Sequence, residues 1–206
     1  MVAFRAMDAI EALTTTRAMR RLKPDPVPEE LLKRVIHAAT CASSPGNSQG
    51  WDFVVVRDPD QRKRIGEVVR TRVLPRLVPI PESGGVPAAR LRMMRGAHHL
   101  ASHFDLAPVI IFVCGASIYP PGSPIDEFVP AALYPAAQNL IVAARALGLG
   151  SVFTTFHMMC ESELREIIGL PSTHRIQVTI PLGWPEGRFG PVARKPVEQV
   201  IHWDRF

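Results

Sequence analysis

From Ala131 to Leu147 the chain is nearly all apolar at helical spacing, and no other stretch constrains its fold as tightly. A helix that is hydrophobic on most of its faces has to be buried on most of them. The flanking segments must therefore supply the layers that cover it. Asp8 to Thr16 reads as a short helix whose apolar side is Ala9, Ile10, Ala12 and Leu13. The run Lys23-Pro24-Asp25-Pro26-Val27-Pro28 cannot be helical, because each proline restricts the residue before it. Pro28 then suits a helix start, with Glu29 and Glu30 near the positive end. Leu31, Leu32, Val35, Ile36 and Ala39 recur at helical spacing, so Pro28 to about Cys41 is an amphipathic helix that stops at Ser43-Ser44-Pro45-Gly46.

Short apolar runs at Phe53 to Val56, Val109 to Val113, Ser151 to Phe156 and Ile176 to Pro181 read as strands. Helices are expected from Asp58 to about Arg72, from Arg90 to His103, and from Ser162, acting as its cap, to Ile168. Pro75 to Pro87 and Tyr119 to Pro130 are rich in proline and form long irregular loops. No glycine-rich turn follows a first strand, which argues against a dinucleotide-binding Rossmann unit. An α+β layer fold with a mixed central sheet fits better, in one domain over residues 1–206.

The bulk properties agree. At 206 residues, with 47% hydrophobic and 21% charged side chains, the chain can bury a core without disulfides or metals. Cys41, Cys114 and Cys160 lack metal-ligand spacing and are expected as reduced thiols, none of them a nucleophile. Apolar stretches such as Val109 to Cys114 are far too short to span a bilayer. Met1 to Ala12, with Arg5, Asp8 and Glu11, has no long apolar run and does not read as a secretory signal, so a cytoplasmic protein is expected. The net charge of +5 is dispersed and forms no recognition motif, so neither a nucleic-acid nor a membrane partner is expected. His98, His99 and His103 lack the spacing and carboxylate partners of a metal site.

Chemistry is concentrated in three segments. Arg17, Arg20 and Arg21 would share one face if the first helix continued through them, and such adjacent charges call for a phosphate or carboxylate. Taken alone, this cluster suits a solvated basic face better than a site. Ser43-Ser44-Pro45-Gly46-Asn47-Ser48-Gln49-Gly50-Trp51 crowds small hydroxyl and amide groups between a helix and a strand, as a loop facing a heteroaromatic ring would. The glycines and threonines of 147–156 permit close backbone approach beside apolar side chains.

In this order the segments resemble the FMN-dependent nitroreductase family, over nearly the whole chain from about Ala9. Thr16-Arg17-Ala18-Met19-Arg20-Arg21-Leu22 is similar to the family's opening Arg-Arg-Ser-x-Arg-x-Phe motif. Ser43 to Trp51 is similar to its Pro-Ser-x-x-Asn-x-Gln-Pro-Trp loop. Tyr134 to Asn139 resembles its central helix, and Leu182-Gly183-Trp184-Pro185 with Arg194-Lys195-Pro196-Val197 its closing segments.

The resemblance implies a homodimer with exchanged C-terminal segments and two FMN sites at its interface. It implies a cofactor site of Arg17, Ala18, Met19, Arg20, Arg21, Ser44, Asn47, Gln49, Phe153, Thr154, Thr155 and Arg194. Arg17, Arg20 and Arg194 would hold the phosphate and ribityl chain. Ser44 and Asn47 would lie beside the ring, partly from the second subunit, and Phe153, Thr154 and Thr155 would border it. The implied reaction is a two-step ping-pong transfer, with NADPH or NADH giving a hydride to the flavin and a small nitroaromatic or quinone acceptor taking it away. No side chain is nominated as an acid or base. The two long loops would shape the acceptor pocket.

Alternatives within the family are a dehalogenase-like enzyme, a flavin-consuming one, and an enoate reductase; outside it stands a flavin-binding protein with little turnover. The chain also departs from the motifs. Thr16 stands where the family has its first arginine, Ala18 where it has serine, and Gly50 where it has proline. Asn47, Gln49 and Trp51 keep their places, so the loop is expected to keep its path.

Overall fold

The proline run after residue 22 carries no helix, as expected, and a helix starts directly after it; the chain then builds a sheet with helices on both faces. Residues 7–81 and 85–206 are described by the structure, a computed structural model. The reading of Met1 to Ala12 as free of a secretory signal therefore falls partly outside the described residues, as do residues 82–84 of the expected 75–87 loop. In chain order the elements are α1 (Ala9–Thr15), β1 (Leu22–Lys23), α2 (Glu29–Thr40), β2 (Trp51–Val56), α3 (Pro59–Val68), α4 (Ala88–Ser102), β3 (Val109–Ala116), α5 (Phe128–Ala146), β4 (Gly150–Ser151), α6 (Glu161–Ile168) and β5 (His174–Pro185).

The strands lie in the order β1-β5-β3-β2, with β4 also paired to β5. The α+β class with flanking helices is what the sequence suggested; the pairings among the described residues are all antiparallel. Alternation along β3 splits the core in two. Val109, Ile111 and Val113 face α2 and α5, while Ile110, Phe112 and Cys114 face the other layer. On β5, Val178, Ile180 and Leu182 join the first layer but Ile176 joins the second. A register shift between Val113 and Cys114 accounts for this, since it pairs Cys114 with Ile176 and leaves Gln177 over.

The apolar helix α5 is buried as expected, with Leu133, Ala136, Ala137, Leu140 and Ala144 in the core. It starts earlier than the sequence suggested, at Phe128. Pro130 is tolerated because the first turn of a helix has no intrahelical acceptor for its missing N–H. Its end sets up the site. Gly148, at φ 77°, lets its own N–H reach Arg145 O at 3.0 Å and the Leu149 N–H reach Ala144 O at 2.8 Å. The chain is thereby turned straight into β4.

Other local expectations need correction. In α1 only Ala12 is buried, and Ile10 and Leu13 face outward, with nothing among the described residues lying over that side. The expected strand Ser151 to Phe156 shrinks to Gly150–Ser151 and an isolated bridge from Thr154 to Thr179, and Phe156 opens a 3-10 turn instead. Ser162 does not cap α6; its hydroxyl donates to Glu163, and Cys160 stands at the cap. α3 yields after Val68 to a π turn, Val69–Val73, so the helical stretch ends tighter and looser in succession rather than regularly.

Candidate functional site

The arginine turn is not helical, so Arg17, Arg20 and Arg21 do not share a helix face. Thr16 closes α1: its N–H and its hydroxyl both go to Ala12 O, the hydroxyl at 2.7 Å. Beyond it the backbone is held by β4, through the Met19 N–H donated to Ser151 O at 2.9 Å. Met19 is buried, and a Cβ on Gly150 would lie 3.0 Å from the Met19 Cβ, so only glycine lets the turn sit this close. Met19 is thus an anchor whose side chain points inward. Arg21 also leaves the group, its guanidinium standing 3.4 Å from His99 Nε2.

Arg17, Ala18 and Arg20 stay together and line a cleft of about 470 Å³. Its opposite wall is the segment Pro191 to Arg194, brought back along α1 by the Val192 N–H donated to Thr14 O at 3.2 Å. Arg145, donating to the Thr15 hydroxyl and lying 4.2 Å from the Phe189 ring centroid, fastens the same segment. The third wall is α4, through Ala89, Arg92 and Met93. Among the described residues, four arginines and no carboxylate therefore line the cleft.

Arg20 is the telling one. It is half-buried, and among the described residues it has no ion pair. Burial pushes its guanidinium below the ordinary value. It fits against α4 only because residue 96 is glycine: a Cβ there would meet the Arg20 Cδ at 3.1 Å. A buried cation without a counter-charge is costly, and a phosphate-bearing group is the ligand this donor set fits.

A model of the nitroreductase family matches residues 13–184. The chain belongs to the nitroreductase family. It is 30% identical over 182 residues to a protein of Methanothermobacter thermautotrophicus described as an NADH dehydrogenase/NAD(P)H nitroreductase, covering 87% of this chain and 78% of that protein. It is 28% identical over 203 residues to iodotyrosine deiodinase 1 of Rattus norvegicus, covering 96% and 70%. Two solved structures share the fold. An iodotyrosine deiodinase bound to FMN and 3-iodo-L-tyrosine has a TM-score of 0.75 at 21% identity, over 97% of this chain and all (100%) of that one. An FMN-dependent nitroreductase of Mycobacterium smegmatis in complex with NADPH has a TM-score of 0.72 at 20% identity, over 96% and 98%.

The remaining residues expected at the flavin divide by position. Thr154 is buried and gives its hydroxyl to Thr179 O at 2.9 Å, so it holds β5 rather than offering a free donor. Phe153 and Thr155, on either side, are exposed, and the Phe153 ring lies 5.8 Å from that of Tyr134. This nitroreductase-family chain places its Ser44–Gln49 loop elsewhere. The loop is rooted where Gly50 O accepts the Ala116 N–H, beside the start of β5, whereas the arginine turn lies beside Gly183 to Pro185 at its end. Eight residues of strand separate Arg175 from Gly183, roughly 26 Å at about 3.3 Å per residue. One chain therefore does not bring the two halves of the expected site together.

The loop itself is tightly specified. Gly46, Asn47 and Gln49 have φ of 57°, 50° and 52°. Such left-handed backbone is strained for Asn and Gln, and it is held by the Gln49 N–H donated to the Ser44 hydroxyl at 3.0 Å and the Asn47 N–H donated to Ser44 O at 2.9 Å. Ser44 is thus a strut of the loop, while Asn47 and Gln49 are exposed. Sequence reasoning missed Arg92 and Gly96, because neither belongs to a local motif; only the fold brings α4 to the arginine turn. Burial pushes the Cys114 thiol up to about 12 and the Cys160 thiol up to about 11.

Proposed function

We propose that this chain is an FMN-dependent oxidoreductase that uses NADPH or NADH to reduce a small nitroaromatic- or quinone-type acceptor. On this reading it is a single-domain cytoplasmic enzyme that works as a homodimer. The observation that carries the reading is the convergence of Arg17, Arg20 and Arg194 on one cleft that, among the described residues, has no carboxylate, with the Arg20 charge half-buried and unpaired among those residues. These arginines would hold the FMN phosphate, with Arg20 seated in the notch at Gly96. When bound, FMN supplies the two-electron chemistry that takes reducing equivalents from a nicotinamide and passes them to the acceptor. The chain's own contribution is binding and orientation. Thr154 and β4 fix the backbone next to Phe153 and Thr155, which would border the ring.

The homodimer is supported by the separation of the two half-sites and by the apolar tail, where Val197, Val200, Ile201, Trp203 and Phe206 are exposed. The Ser44–Gln49 loop of one subunit would then meet the flavin held by the other. Among the described residues no helix is long and apolar enough to cross a membrane. The likeness to iodotyrosine deiodinase keeps a dehalogenase-like acceptor as the second reading.

The deciding experiment is anaerobic spectroscopy of the purified protein. Yellow protein that bleaches on adding NADPH or NADH is the expected result. Yellow protein that bleaches with neither would make it a flavin-binding module, and colourless protein that FMN cannot reconstitute would overturn the assignment. A survey of nitroaromatics, quinones and halogenated phenols under turnover then separates the two acceptor readings.

A further inference from the structure

The clamp read from the sequence is one arginine short, because Thr16 occupies the position of the family's first arginine and its hydroxyl is spent on Ala12 O. The cleft nevertheless contains a guanidinium that the sequence motifs do not account for. Arg92, on α4, lines it together with Arg17, Arg20 and Arg194. Arg92 has no ion pair or hydrogen bond among the described residues, so none of those residues holds it away from the cleft. Ala89, in the first turn of the same helix, borders the cleft as well. That turn has no acidic residue and no side-chain cap, and the helix dipole there adds to the attraction for an anion. α4 is also locked to the turn, because the Arg20 side chain occupies the space left by Gly96.

We infer that Arg92 is an FMN-phosphate ligand that supplies, from α4, the positive charge missing at position 16. The inference rests on the proposed FMN site. It says that the phosphate is gripped from three parts of the chain: the turn after α1, the C-terminal segment and α4. A planar guanidinium can give two parallel hydrogen bonds to phosphate oxygens, which a neutral amide of similar size cannot match.

The test compares FMN with riboflavin, which has the same ring and ribityl chain but no phosphate, by quenching of flavin fluorescence on the full-length apoprotein. Arg92→Gln is expected to weaken FMN binding by about tenfold or more, as for loss of a charge-assisted hydrogen bond, and to leave riboflavin affinity unchanged. Arg95→Gln, on the same helix but outside the cleft, is expected to keep wild-type affinity for both. Adding Thr16→Arg to Arg92→Gln is expected to restore part of the lost FMN affinity. Unaltered FMN affinity in Arg92→Gln overturns the inference while leaving the FMN site standing. Equal losses for FMN and riboflavin also overturn it, by showing that Arg92 only supports the fold. Wild-type protein that binds no FMN overturns both this inference and the proposed function.

Discussion

Arg20 carries its charge into a half-buried notch at Gly96, and Arg17 stands beside it in the open mouth of the same cleft. The two differ in what their loss should do. Arg17 is exposed and makes no ion pair among the described residues, so Arg17→Ala is expected to lower FMN occupancy severalfold while circular dichroism and melting temperature stay near wild type. Full flavin retention in that variant would show that Arg17 is only a solvated charge. A second prediction concerns His157, which is buried with its Nδ1 unpartnered. Burial pushes this imidazole below its ordinary value of 6.5, with nearby Glu161 opposing the shift. The unfolded chain then binds more protons than the folded one, so the related stability is intact above about pH 6.5 and is lost as the pH falls below it. Thermal melts from about pH 7.5 down to 5.5 are expected to decline less steeply in His157→Leu than in the wild type; identical slopes would contradict the account of His157. The motif order was enough to find Arg17, Arg20 and Arg194, because the family resemblance links residues far apart in sequence. Thr154 and Arg92 were beyond it: the hydroxyl of one is decided by a strand 25 residues away, and the other's role by the seating of a helix.

At the level of elements, what could be read in advance was whatever has a local cause. The spacing of Leu31, Leu32, Val35 and Ala39 marks α2, and the run from Val109 marks β3, whose neighbours bury both faces. Ends set by distant partners were misread. The stretch after Ser151 has strand composition but bonds to β5 at Val152 and Thr154 without forming a continuous strand, and the Val113–Cys114 register shift that sends Ile176 to the second core has no local signal. The root of the Ser44–Gln49 loop depends on another such contact. A Cβ on Gly115 would lie 2.2 Å from Gly50 O and 2.9 Å from a Leu133 methyl, neither of which can retreat easily. Gly115→Ala is accordingly expected to cost about 1–3 kcal/mol in denaturant unfolding and to loosen the loop that carries Asn47. A variant as stable as the wild type would mean that β2 and α5 yield there without strain.

Over the whole molecule, one chain presents two separated parts of the candidate site and a tail that is exposed among the described residues. Trp203 is 81% exposed and Phe206 fully so, although both are large apolar residues. Light scattering is expected to give the mass of a dimer. Removal of residues 196–206, which spares Arg194, is expected to weaken that dimer and FMN retention together, whereas a truncated chain with unchanged mass and flavin content would leave the tail without this role. Beneath these expectations lies one claim, that the arginine-lined cleft is built for the phosphate of FMN. Its most direct test is the affinity of the wild-type apoprotein for FMN against riboflavin, measured by quenching of flavin fluorescence at one ionic strength. The cleft is expected to favour FMN by about a hundredfold or more, a difference near 2.7 kcal/mol; equal affinity for the two flavins would contradict it.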